Sequence, residues 1–341
     1  MDSLTDIERD AILLDDSDNV LTENLPPRLA ASMPQGMDIR LGSGPRQQTT
    51  VAAPISCVGR GLHTGVPIHL TIRPASADHG IAFIRTDLPE ASLIPARYDH
   101  VVDTRLSTVV GVDSRQRVAT IEHLMAALNA NGIDNALIEV SGPELPALDG
   151  SSAEYDFLLQ CAGRVSLAIA KAPVEVLRRV RVEGADGAFA ELRPARRGLS
   201  LSMTIDFPSA AIGRQSFALA LNEIRFRDQL AACRTFVERA DIEALQRVGL
   251  ARGGSLNNAI VVDGEAVLNP GGLRHHDEFV RHKLLDAIGD LGLAGAPLQA
   301  EFVGYKSGHG LNNQLLRALF ADRANWRVAG TTATSRVRVA A

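Results

Sequence analysis

Lysine is nearly absent from this chain: of 35 basic residues only Lys171, Lys283 and Lys306 are lysines, and the other 32 are arginines. A sequence that uses arginine wherever a bare positive charge suffices keeps lysine where a compact ammonium is wanted, and two of the three stand near His282 and His309. Cysteine is equally sparse. Cys57, Cys161 and Cys233 lie far apart in no Cys-x-x-Cys arrangement, which argues against a disulfide framework or a thiolate zinc site and fits a reducing, cytoplasmic setting. No uninterrupted apolar run reaches the roughly 18 residues that span a bilayer, and the first ten residues are acidic where a secretion signal is basic. Neither a membrane span nor export is expected. Excess charge is missing too: residues 1–50 hold nine acids and four bases, the whole of the net charge of −5, so residues 51–341 carry 31 of each sign. That balance excludes a nucleic-acid-binding body.

What is present is enough apolar residue, 45% of 341, to bury a sizeable core, at a length that suggests two domains. Residues 1–49 read as an acidic, disordered extension, with a short helix over 4–14 as the other reading. The sequence then turns to period-two strands over 66–74 and 80–85, a helix opened by Thr120 as N-cap, a strand over 135–140 and a helix over 151–162. After Lys171-Ala172-Pro173 the pattern repeats. Strands over 174–183, 188–193 and 199–207 precede helical residues near 241–248, a strand over 258–262, a helix over 278–291, a strand over 300–305 and a helix over 311–322. This predicts an α+β chain of two domains of like topology, 50–170 and 171–325, each a sheet backed by helices, with a tail over 326–341.

The most informative stretch is 282–290, His-Lys-Leu-Leu-Asp-Ala-Ile-Gly-Asp, where His282, Asp286 and Asp290 recur at steps of four and so share one helix face. The spacing alone also fits a solvated face carrying an ion pair. His123 changes the balance: in the first turn of a helix a charged imidazole is disfavoured, which leaves it neutral and able to ligate. His123, His282 and Asp286 make a three-ligand set of the kind that leaves zinc an open position. Glu122 is placed to take a proton from water, His309 to give one to a leaving group, and Asp290 to fix the tautomer of His309.

The chain from about residue 51 to 322 resembles the UDP-3-O-acyl-N-acetylglucosamine deacetylases, the zinc hydrolases of lipid A biosynthesis. The likeness is carried by Gly-Leu-His-Thr-Gly (61–65), Thr-Ile-Glu-His-Leu (120–124), Leu-Asp-Gly-Ser-Ser-Ala (148–153), Cys-Arg-Thr-Phe (233–236), Gly-Gly-Ser-Leu-Asn-Asn-Ala (253–259), the run 278–291 and Tyr-Lys-Ser-Gly-His (305–309). The resemblance implies helices sandwiched between two sheets, zinc on His123, His282 and Asp286 with iron(II) as the alternative metal in the cell, Glu122 as general base, and His309 as general acid supported by Asp290. It further implies Thr235 at the oxyanion, Lys283 near the substrate's diphosphate, and His63 and Phe236 against the substrate. The implied protein is a cytoplasmic, monomeric zinc metalloamidase that releases acetate from the UDP-linked, 3-O-acylated sugar. The competing reading is a catalytically idle relative that binds the acyl-sugar nucleotide as a sensor, which would have lost a ligand or the base; this sequence keeps all of them. One departure falls after Thr-Phe, where Val237-Glu238-Arg239-Ala240 replace the small and apolar residues usual in the family and bear on acyl-chain length.

Overall fold

The computed structural model describes residues 46–330; residues 1–45, which hold most of the expected extension and the alternative helix over 4–14, and residues 331–341 lie outside the described residues. Two sheets repeat one topology. In the first, Ala136–Val140 is the central strand, antiparallel to Pro67–Pro74 and parallel to Ile81–Arg85, with Ile55–Arg60 and Ile94–Pro95 outside them. In the second, Leu298–Tyr305 takes the central place, antiparallel to Phe189–Pro194 and parallel to Leu199–Asp206, with Val180–Glu183 and Arg214–Ala220 outside. The fold is α+β, as expected. Each parallel pair needs a crossover, and in both halves a helix supplies it.

Six α-helices are described: α1 (Glu122–Ala130), α2 (Ala153–Ala162), α3 (Glu223–Gln229), α4 (Arg239–Arg247), α5 (Glu278–Gly292) and α6 (His309–Ala321). α1 of the first half lies against α5 of the second, between the two sheets, and α5 also packs on Leu199–Asp206 and Arg214–Ala220. Leu124 and Leu128 of α1 and Leu284, Leu285 and Ile288 of α5 are fully buried, so a single core joins strands and helices of both halves. The contact is closest at Gly289, where any Cβ would run into the main chain of Glu122. Only glycine lets the two helices meet there.

Several sequence readings shift. Thr120 is not the N-cap of α1: Ile121 holds that place, and Thr120 has φ of 58° with a buried hydroxyl that finds no partner. That is a strained conformation for a β-branched residue, beside the helix start that carries Glu122 and His123. The body begins before residue 50. Arg46–Val51 pairs with Arg164–Lys171, Arg46 grips both oxygens of Asp134 at 2.5 and 3.0 Å, and the Thr49 N–H donates to the same carboxylate at 2.9 Å. At the other end Trp326–Val328 is a strand paired with Val174–Val176, so part of the expected tail is sheet. Arg214–Ala220 and α3 were not foreseen, nor was the three-stranded sheet of Val101–Asp103, Val109–Gly111 and Arg117–Val118; the strand expected over 258–262 is Ile260–Asp263, and it lies in a second three-stranded sheet between Phe236–Glu238 and Ala266–Val267, which were not expected.

Candidate metal centre

The first turn of α1 brings His123, and the middle of α5 brings His282 and Asp286, into one buried cluster whose ligand atoms lie within 4.8 Å of one another. Spacing of four along α5 stacks His282 over Asp286, and the helix contact at Gly289 brings α1 near enough for His123 to join them. His282 donates Nδ1–H to the carbonyl of Cys233 at 3.0 Å, which fixes its tautomer and leaves Nε2 bare. One oxygen of Asp286, Oδ1, stands 3.4 Å from His282 Nε2 and 3.5 Å from His123 Nε2, yet makes no hydrogen bond. A buried carboxylate oxygen without a partner is costly. Donors placed at about 2.0–2.1 Å from one tetrahedral ion are about 3.3–3.4 Å apart, which is the spacing seen between this oxygen and each imidazole. The two nitrogens and one oxygen therefore fit a borderline divalent cation such as zinc.

Most of the charges agree with that use. Burial pushes the His282 imidazole down, to about 4, with His123 and Lys283 adding to the effect against Asp286, so the ring is neutral. His123 departs from the neutral ring expected of its place in the first turn: burial works against its charge, but Asp286 and Glu122 outweigh it and raise its pKa, so a cation would bind there in place of a proton. Asp286 is buried, yet His282, Lys283 and His123 hold its carboxyl well below the usual range. Lys283 donates from Nζ to Asp286 Oδ2 at 2.8 Å, and this anion more than offsets the burial of the ammonium. Glu122 is raised, because burial dominates and the nearby imidazoles of His309 and His123 only partly counter it. A carboxylate with a raised pKa beside a cation site is suited to accept a proton.

His309 opens α6 and donates Nδ1–H to Asp290 Oδ2 at 2.9 Å, which leaves Nε2 clear of that bond. Burial alone would depress it; Asp290 and Glu122 instead lift it to about 9. Asp290 accepts two more bonds, from Asn312 Nδ2 at 2.8 Å and from the Thr108 hydroxyl at 2.5 Å, and the Thr108 N–H donates to Glu122 Oε2 at 3.0 Å. Sequence reasoning missed Thr108 and Asn312, since neither belongs to a periodic or ligand-type pattern. The fold alone brings Thr108 to Asp290.

The remaining expected residues fall at different distances from the cluster. Thr235 is two residues beyond the carbonyl that fixes His282, and its own main chain is bonded to Gly150 and Ile260 at 2.8 Å each. The Phe236 ring stands 6.2 Å from the His282 ring and edge-on to Phe279 and Phe207. It walls a cavity of about 450 Å³ with Leu106, Phe207, Val237 and Leu245, and Glu238 and Asp241 also face it. A larger cavity of about 730 Å³ lies by residues 128–135 and 292–298 and contains none of the expected site residues.

His63 makes no hydrogen bond to the cluster. Its N–H donates to Glu144 Oε2 at 3.0 Å, its carbonyl accepts from Arg252 N–H at 3.1 Å, and both ring nitrogens are buried without a partner. Burial pushes its pKa down against the pull of Glu144, so the ring is neutral. Glu144, which sequence reasoning also missed, holds the turn by accepting from the N–H and hydroxyl of Thr64 at 2.7 and 2.6 Å. Gly253 leaves no room for a Cβ against the Gly61 carbonyl, and Gly150 none against Asn258. The glycine motifs thus serve to dock first-half turns on second-half loops.

Comparison with known proteins gives a family for this geometry. Residues 48–321 match the LpxC model, UDP-3-O-acyl N-acetylglycosamine deacetylase. The UDP-3-O-acyl-N-acetylglucosamine deacetylase of Phenylobacterium zucineum is 49% identical over 282 residues, covering 82% of this chain and 96% of that protein. Proteins of the same name from Anaeromyxobacter dehalogenans and Myxococcus xanthus are 50% and 46% identical, over 84% and 82% of this chain and 91% and 88% of theirs. With its site motifs inside the matched span and about half its residues shared with such relatives, this chain belongs to the UDP-3-O-acyl N-acetylglycosamine deacetylase family.

Proposed function

We propose that the protein is a zinc metalloamidase that removes the acetyl group from the glucosamine nitrogen of UDP-3-O-acyl-N-acetylglucosamine, releasing acetate, in lipid A biosynthesis. The observation that carries this is Asp286 Oδ1, buried and unbonded between two imidazoles, in a chain of this family. His123, His282 and Asp286 would hold the ion, zinc or in the cell iron(II), and when bound it supplies Lewis acidity toward water and the amide carbonyl. The protein's own residues handle the protons. Glu122, with Oε2 held by the Thr108 N–H, accepts the proton of the attacking water, and His309 delivers a proton from Nε2 to the amine as the C–N bond breaks. Asp290 holds the His309 ring through Nδ1.

Around these, Thr235 would face the developing oxyanion, Lys283 the diphosphate, His63 the sugar, and Phe236 the acyl chain, for which the 450 Å³ cavity offers mostly apolar walls. The same reading takes the enzyme as a cytoplasmic monomer that binds no nucleic acid, in keeping with the balanced charge of residues 51–341. No helix among the described residues is long and apolar enough to cross a membrane. The test is acetate release from the acylated UDP-sugar by zinc-loaded protein, with the metal content measured on the same sample. Absence of acetate from fully loaded protein would overturn the reading in favour of a binding role.

A further inference from the structure

Thr108 touches both proton-handling arms of the site. It is buried, 1% exposed, in the connection from strand Val101–Asp103 to strand Val109–Gly111. All three of its polar groups are engaged. Its N–H donates to Glu122 Oε2 at 3.0 Å, its carbonyl accepts the N–H of Ile121 at 3.4 Å, and its hydroxyl donates to Asp290 Oδ1 at 2.5 Å. The first two bonds hold the start of α1, and the third crosses to α5 in the other half. Asp290 Oδ2 is taken by His309 Nδ1 and Asn312 Nδ2, and Asn312 is itself held by the Ser307 hydroxyl at 2.7 Å. With Thr108 on one oxygen and His309 and Asn312 on the other, the carboxylate plane is fixed. Without the hydroxyl, Oδ1 would be a buried acceptor with no donor, and the carboxylate could turn and change which oxygen meets the imidazole.

We propose that the Thr108 hydroxyl is a positioning group for the reaction: by pinning Asp290 it holds the His309 ring with Nδ1 bonded and Nε2 presented to the leaving nitrogen. The proposal rests on the reading of His309 as the general acid. The main-chain bond to Glu122 is a separate device that a side-chain substitution leaves in place. Thr108→Val keeps the shape and the N–H and removes only the hydroxyl, whereas Thr108→Ser keeps the hydroxyl and removes a methyl.

The experiment uses zinc-loaded full-length enzyme and reads kcat, KM, zinc content and the proton NMR signal of His309 Nδ1–H. For Thr108→Val, kcat should fall about 10- to 100-fold with KM within about twofold and zinc content unchanged, the scale of a loosened acid catalyst. Thr108→Ser should lie within about threefold of the parent, because its hydroxyl can reach the same oxygen. The downfield Nδ1–H signal, protected by its charged hydrogen bond, should persist in the parent and in Thr108→Ser and be lost in Thr108→Val. Equal losses of kcat in the two variants, normal kcat in Thr108→Val, or an unchanged Nδ1–H signal there would each overturn the positioning role. His309→Ala, run alongside, separates the two readings: full turnover in that variant removes His309 as the acid, while the Nδ1–H signal still decides whether Thr108 organises the Asp290–His309 pair.

Discussion

A buried carboxylate oxygen with no hydrogen bond is a residue-scale anomaly of this protein, and with two imidazole nitrogens facing the same point Asp286 Oδ1 is set to meet a cation. Loss of a ligand and loss of the base should therefore give different defects. His282→Ala should lower zinc content, measured by metal analysis after dialysis, whereas Glu122→Ala should keep its zinc and lose about two to four decades of kcat. Zinc loss confined to the Glu122 variant would reverse the assignment. The pH dependence follows from His309, whose imidazole keeps its proton up to about 9 because Asp290 and Glu122 outweigh its burial. A rate that needs the protonated ring is present below that value and lost as pH rises through it. Asp290→Asn removes the first of those anions, so the alkaline limb of kcat should move to lower pH; a limb that stays in place, or one unchanged in His309→Ala, takes this pair out of the acid role. At this scale the grouping of His123, His282 and Asp286 was legible, since steps of four and a first-turn His stand out in a sequence, and the fold brings those three together. Thr108 was not, because its value comes from two bonds made across the fold.

At the scale of elements, the site depends on how closely α1 and α5 approach. Gly289→Ala puts a methyl against the main chain of Glu122, with no flexible side chain to yield, and should cost about 1–3 kcal/mol together with weaker metal binding. Gly292→Ala is the control on the same helix: its Cβ would meet nothing nearer than Asn129 at 3.5 Å, and alanine favours helix by about 0.5–1 kcal/mol. Thermal unfolding of the two variants checks this, and equal melting temperatures would mean that the helix contact has slack. The long helices and central strands could be read from periodicity because each buries one continuous face; α5 runs for 15 residues with its apolar positions in register. Of the six strands in the two small sheets, each two to four residues long, only the one expected over 258–262 was read; the others are too short for a period to show. The start of α1 misled for a different reason. A threonine before a helical run signals an N-cap, yet here it takes φ of 58° and the helix begins two residues later.

On the scale of the whole molecule, every residue placed at the site lies between His63 and His309, so removing residues 1–45 should leave turnover within about twofold. Removing residues 1–51 should not, because it deletes the strand that pairs with Arg164–Lys171 and strips Asp134 of Arg46 and Thr49. Expression, melting temperature and acetate release of the two truncations decide between the boundaries: a tenfold fall in turnover after the shorter deletion would mean that the first 45 residues act on the site. The division of the ligand set has a further consequence. One of the three proposed ligands belongs to the first half and two to the second, and only the assembled pair of halves presents all three together. Metal affinity would therefore be a property of the assembled fold, and by mass action the fold would inherit a dependence on free metal. At a free concentration 100 times Kd the ion would add about 2.7 kcal/mol of stability, and a chelator that withdraws it should lower the melting temperature of an enzyme whose sequence is unchanged. The concentration of a trace element in the cell would then help to set how much of this protein is folded.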